Sequence, residues 1–134
     1  MIRKFHEAKE SGKDEVVLWG DGSPYREFLY SEDLADAVVF LMENRNASDL
    51  GEFINIGTGV DLPIKELANI VKTVVYQDSP SIDCKIVWDN TKPNGTPQKL
   101  LDVSKLNALG FKAKTDFKTG IELSYKDFCL NKDK

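Results

Sequence analysis

The chain has 134 residues, 41% of them apolar and 30% charged, and its 18 Lys and Arg against 22 Asp and Glu leave a net charge of −4. That length and composition predict one globular domain rather than a disordered chain, and the acidic balance speaks against a general nucleic-acid binder. No apolar run approaches the roughly 18 residues of a membrane span, and the charged start, residues 1–15, has no signal-peptide core. The two cysteines, Cys84 and Cys129, are too few and too far apart for a disulfide scaffold or a zinc site, so both read as free thiols of a reducing compartment, the cytoplasm.

In chain order, residues 1–12 carry Ile2, Phe5 and Ala8 at helical spacing, with Gly12 able to close the helix. Val16 to Trp19 reads as a short buried strand, and Gly20-Asp21-Gly22-Ser23-Pro24 as a turn. A second extended segment follows from Arg26 to Tyr30, with Tyr25, Phe28 and Leu29 expected inside. The two segments are expected to pair beside the first helix. Ser31 is the expected N-cap of a helix that runs to Asn44, with Glu32 and Asp33 in its first turn, where negative charge suits the helix dipole. Leu34, Ala35, Val38, Leu41 and Met42 form its predicted apolar face.

Residues 52–56 read as a strand that ends in Gly57-Thr58-Gly59. Pro63 suits the first turn of the next helix, with Ile64, Leu67, Ala68, Val71, Val74 and Val75 inward. A loop at 77–83, a strand over Cys84 to Trp88 and a polar loop at 89–98 come next. A short helix is expected from Ser104 to Leu109, stopped by Gly110. Thr115 is the expected cap of a last helix with Phe117, Ile121, Tyr125 and Phe128 inward, before a frayed end at Lys132–Lys134. This order of mixed helices and short strands predicts a small α/β domain of α+β character.

Much familiar chemistry is missing. Gly20-Asp21-Gly22 and Gly57-Thr58-Gly59 resemble the start of a phosphate-binding glycine loop, but neither reaches a third glycine, and tight turns account for both. The single histidine, His6, followed by Glu7, meets Glu10 where a zinc protease has its second histidine. On a charged helix it is expected in solvent, and no serine-histidine-aspartate relay can be built around it. The positive signals lie on loop edges. Arg26 offers a fixed fork to phosphate oxygens or a salt bridge to Glu27 or Asp33. Trp19 fits a core position or a stacking surface. The proline-stiffened loop from Lys92 to Lys99 is either functional or a solvated connector.

Taken together, several segments resemble a known family. These are Arg3-Lys4-Phe5-His6-Glu7-Ala8, the run from Val16 to Ala35 with Trp19-Gly20-Asp21-Gly22 and Arg26-Glu27-Phe28, Ile54-Asn55-Ile56-Gly57-Thr58-Gly59, Ile64-Lys65-Glu66-Leu67-Ala68, and the run from Asp89 to Asp102 with Lys92-Pro93-Asn94-Gly95-Thr96-Pro97-Gln98-Lys99-Leu100-Leu101-Asp102. They resemble the C-terminal, substrate-binding part of the GDP-L-fucose synthase branch of the extended short-chain dehydrogenase/reductases. The resemblance implies a domain, residues 1–134, that belongs to a longer enzyme whose Rossmann domain is absent here. The whole enzyme would turn GDP-4-keto-6-deoxy-D-mannose into GDP-L-fucose by 3,5-epimerisation and NADPH-dependent 4-reduction, as a homodimer.

By the same resemblance Lys4, Trp19, Arg26, Asn94 and Lys99 bind the GDP-sugar. Lys4 stands where the family often has arginine, and Asn94 where it usually has aspartate. NADP(H) would be held by the absent N-terminal domain, and no catalytic residue is expected in this chain. Tyr25, Tyr30, Tyr76 and Tyr125 are followed four positions on by Leu29, Leu34, Pro80 and Cys129, so the family's Tyr-x-x-x-Lys does not occur. A free-standing domain that binds a nucleotide sugar or a protein, or part of another nucleotide-sugar epimerase or dehydratase, are the alternatives.

Overall fold

The computed structural model describes residues 1–132; the last two positions of the expected frayed end lie outside the described residues. Helices α1 (Ile2–Glu10), α4 (Ile64–Val75) and α6 (Phe117–Asn131) gather around a two-stranded parallel pair, β1 (Glu15–Trp19) with β4 (Lys85–Asp89). A second sheet has β2 (Tyr25–Glu27) at its centre, antiparallel to β3 (Asp61–Pro63) on one side and parallel to β5 (Gln98–Lys99) on the other. The remaining helices are α2 (Ser31–Asn44), the single turn α3 (Ala47–Leu50) and α5 (Ser104–Ala108). The expected pairing of the first two extended segments does not occur. The turn at Gly20-Asp21-Gly22 instead carries the chain from one sheet to the other.

Two apolar clusters hold these elements. The larger packs Phe5 and Ala8 of α1, Val16 and Leu18 of β1 and Leu67, Ala68, Val71 and Val75 of α4, with Phe117, Ile121 and Tyr125 of α6 against it. The smaller joins Ala37 and Leu41 of α2 to Leu106 and Phe111. Strand β1 alternates rather than being buried throughout: Val16 and Leu18 point inward, while Val17 and Trp19 face out. This follows from the period of two along a strand that has a helix layer on one side only.

The caps differ from expectation by one residue. Tyr30, not Ser31, precedes α2, and Asp116, not Thr115, caps α6, its carboxylate accepting from Thr119 N at 3.1 Å. His6 is buried, not solvated, because α6 lies across α1. Lys132 Nζ donates to His6 Nε2 at 3.2 Å, which leaves Nδ1–H to donate to the Tyr125 hydroxyl at 3.1 Å, and the Phe128 ring stands edge-on at 5.2 Å. Cys84 is buried and Cys129 exposed, both as free thiols.

Two further departures share one cause. Helix α2 buries Asp33, Ala37 and Leu41, while Leu34, Val38 and Met42 of the expected apolar face stand in solvent. Residues 52–56, expected as a strand, form no ladder, and no backbone–backbone hydrogen bond engages them among the described residues. A strand needs a neighbour to bond with, and an apolar helix stripe needs a surface to cover it; neither partner is present. Met42→Lys is therefore expected to leave the melting temperature within about 2 °C of the parent, since Met42 is 79% exposed and surface changes cost at most about 0.5 kcal/mol. A scanning-calorimetry drop well beyond that would mean that this face is covered.

Candidate functional site: two cations beside strand β2

The site begins with strand register. Arg26 on β2 lies opposite Lys99 on the parallel strand β5, so their side chains leave the same face of the sheet. Arg26 is half-buried and Lys99 exposed, and both line a hollow of about 540 Å³ together with Glu27, Leu29, Ile56, Gly57 and Leu101. Among the described residues neither cation has a carboxylate within ion-pair distance. Arg26 spends one N–H on its own neighbour, Nη1 donating to Tyr25 O at 2.5 Å. The salt bridge open to it from the sequence is not made. Glu27 accepts from Thr58 N, Gly59 N and Leu101 N, and Asp33 accepts from Lys114 N and Thr115 N, so both carboxylates are committed elsewhere. Two adjacent uncompensated cations make a place for a dianionic group, and the arginine fork adds bidentate geometry.

The polar loop 89–98 is drawn against this pair. Asn94 Oδ1 accepts from Asp21 N at 2.9 Å, which clips the loop to the turn after β1, and a Cβ at Gly95 would stand 3.6 Å from Arg26 Nη2. Asn94 is thus first a turn-fastening residue, and its amide NH₂ remains as a donor on an exposed side chain. Trp19 is 68% exposed, which removes the core reading, and Lys92 Nζ lies 5.9 Å from the centre of its ring. Trp88 takes the inner position instead, packed against the larger cluster. The expected burial beside Arg26 also fails: Tyr25 and Phe28 are exposed and Leu29 half-buried. Lys4 is not brought to the pair by any contact; its Nζ donates to Val17 O at 2.9 Å, two residues before Trp19 on β1.

Glu27 is the residue that sequence reasoning missed. Oε1 accepts from the backbone N–H of Thr58, from Thr58 Oγ1 at 3.2 Å and from Gly59 N at 2.8 Å, and Oε2 accepts from Leu101 N at 2.9 Å. Burial works against its charge most strongly, yet the hydrogen bonds from Leu101, Gly59 and Thr58 bring its pKa below the ordinary glutamate value. The signal was available as an acidic residue beside a candidate arginine, but its partners lie in two remote loops.

These bonds also settle what the glycine pairs do. The amides of Thr58 and Gly59 that could cradle a pyrophosphate already serve Glu27, and those of Asp21 and Ser23 serve Asn94 and Asp21. A dinucleotide does not fit either loop. No group of metal-ligating side chains occurs among the described residues, and no helix there is long and apolar enough to cross a membrane. A larger hollow of about 650 Å³ lies between α4 and α6, lined by Phe28, Ile70, Phe117 and Ile121 among others. It lacks the paired cations, so size alone does not mark the chemistry.

Residues 1–57 match the NAD dependent epimerase/dehydratase family. The chain's curated relatives and structural neighbours are of that class, the extended short-chain dehydrogenase/reductases. Within it the chain is related to GDP-L-fucose synthases. It is 50% identical over 131 residues to the putative GDP-L-fucose synthase 2 of Arabidopsis thaliana, which covers 98% of this chain and 38% of the relative. It is 40% identical over 141 residues to the GDP-L-fucose synthase of Escherichia coli K12, covering 100% of this chain and 42% of that one.

Among solved structures, the NADP-bound GDP-mannoheptose C4 reductase of Campylobacter jejuni superposes with a TM-score of 0.81 at 36% identity, over 96% of this chain and 43% of the other. A GDP-L-fucose synthetase of Naegleria fowleri gives 0.81 at 25% identity, over 98% and 38%. The chain therefore spans about two fifths of the length of the relatives it matches, in their C-terminal region.

Proposed function

We propose that this chain is the substrate-binding portion of a GDP-L-fucose synthase and that Arg26 and Lys99 grip the diphosphate of its GDP-sugar. The observation that carries the reading is the pairing of these two cations, on one sheet face and without an ion-pair partner among the described residues. Arg26 supplies the bidentate fork and Lys99 a point charge. The open ring of Trp19 and the free amide of Asn94 flank them as contacts for the rest of the nucleotide sugar, with Lys4 a further cation near β1. Held this way, the sugar is oriented toward catalytic groups that this chain does not carry, which is a contribution of positioning rather than of bond-making.

The whole enzyme would epimerise and reduce GDP-4-keto-6-deoxy-D-mannose to GDP-L-fucose, with NADP(H) as hydride donor. The loops described above do not fit NADP(H), which agrees with its being held outside residues 1–134. The exposed apolar face of α2 and the unpaired residues 53–56 support the same division, since a stand-alone domain would leave both in water. The two free thiols suit the cytoplasm.

The test is a titration of the chain with GDP followed by amide chemical shifts. Arg26→Ala is expected to weaken GDP binding about 30-fold, because a hydrogen bond between charged groups contributes about 2 kcal/mol. Shifts centred on residues 19–26 and 94–101 would accompany binding. Unchanged affinity in Arg26→Ala would sink the assignment, as would equal affinity for inorganic phosphate.

A further inference from the structure

We propose that Glu27 is a positioning residue of this anion site: its carboxylate fixes the register of residues 98–101, so that Lys99 stands beside Arg26. The inference rests on the reading of Arg26 and Lys99 as diphosphate ligands and adds how the second cation is kept in place.

The strand that presents Lys99 is only two residues long, Gln98 and Lys99. So short a ladder specifies register weakly, and a slip of one residue would turn Lys99 to the opposite face. Bonds beyond the ladder must hold it. Before the strand, Tyr25 N donates to Pro97 O at 2.8 Å. Within it, Gln98 Nε2 donates to Asp61 Oδ2 at 2.7 Å. After it, Leu101 N donates to Glu27 Oε2 at 2.9 Å. Glu27 is thus the clip at the far end, on the strand that carries Arg26. Its other oxygen fixes Thr58 and Gly59, in the loop whose Gly57 lines the same hollow.

The chemistry requires a carboxylate. Oε1 and Oε2 both accept, one from each loop, and an amide in the same place would set its NH₂ against one of these N–H donors. Glu27 lines the same hollow as the two cations, but its charge is spent on the N–H groups of Thr58, Gly59 and Leu101 rather than on them. The approach is possible because residue 57 is glycine: a Cβ there would lie 2.3 Å from Glu27 Oε1.

The experiment is a double-mutant cycle on the whole chain with GDP as the probe. Glu27→Gln is expected to weaken GDP about tenfold in the parent but less than about twofold in a Lys99→Ala background, since it acts through Lys99. A loss of equal size in both backgrounds, or none in the parent, overturns the inference and leaves the diphosphate reading standing. Should Lys99→Ala and Arg26→Ala both leave GDP affinity unchanged, the diphosphate reading fails, and this inference with it. Gly57→Ala provides a second variant that keeps the carboxylate but pushes it aside. It is expected to give the same selective loss and faster amide exchange at Leu101; parent-like exchange there would refute the clip.

Discussion

Gly22→Ala is expected to lower the unfolding free energy by about 2–5 kcal/mol, the sum of a left-handed backbone penalty of about 1–2 kcal/mol and an overpacking cost of about 1–3 kcal/mol. Gly22 has φ +74°, and a Cβ there would lie 2.6 Å from Cη2 and Cζ2 of Trp88 and 2.9 Å from Cβ of Lys65. Neither neighbour gives way easily. Trp88 sits on β4 opposite Leu18 of β1, and Lys65 is bound through its own amide to Gly22 O at 2.9 Å. The same turn joins Trp19 to the Tyr25–Glu27 strand, so the variant strains the stretch between the stacking surface and the arginine. Urea denaturation should show the midpoint falling with the slope unchanged. A loss below about 1 kcal/mol would mean that the turn re-forms with a different backbone and that this glycine is not required.

What the sequence made legible follows from range. Helical spacing located α4 and the core positions Leu67, Ala68, Val71, Val74 and Val75, because an amphipathic pattern is local and α4 has one wet side. For α2, apolar residues surround much of the helix, and periodicity cannot say which side meets the rest of the chain. The structure chose Ala37 and Leu41, leaving Leu34 and Met42 outside. The pattern of residues 52–56 was a fair strand pattern, yet its ladder depends on a partner that local sequence does not supply. His6 failed for the same reason: the helix that covers it lies over a hundred positions away in the chain.

At the site, the resemblance singled out Arg26 and Lys99, but their adjacency comes from a two-residue parallel strand too short to carry a periodic signal. Glu27 could be read from the sequence only as a neighbour of Arg26, because its three N–H partners sit on loops that only the fold brings together. The missing ion pair of Arg26 is likewise a statement about where Glu27 and Asp33 spend their charge, which composition cannot reveal.

Asp33→Ala is the second large effect, an expected loss of about 3 kcal/mol at neutral pH, because hydrogen bonds to a charged acceptor contribute about 1.5–3 kcal/mol each and two backbone donors would be stranded. Asp33 is 4% exposed, and its carboxylate accepts from Thr115 N at 2.9 Å and Lys114 N at 3.4 Å, tying the chain before α6 to the start of α2. Burial opposes the charge most, but the hydrogen bonds from Thr115 and Lys114 and the Lys114 charge hold the folded pKa below the ordinary aspartate value. A depressed folded pKa makes this stabilisation complete above the unfolded pKa of about 3.9, and it is lost as pH falls through the folded value. The parent should therefore lose stability in acid more steeply than Asp33→Ala, and their difference, largest near neutrality, should shrink below about pH 4. Thermal unfolding at a series of pH values measures this directly. Parallel curves for the two proteins would show that the Asp33 charge contributes nothing, and that the 112–115 segment is held by packing alone.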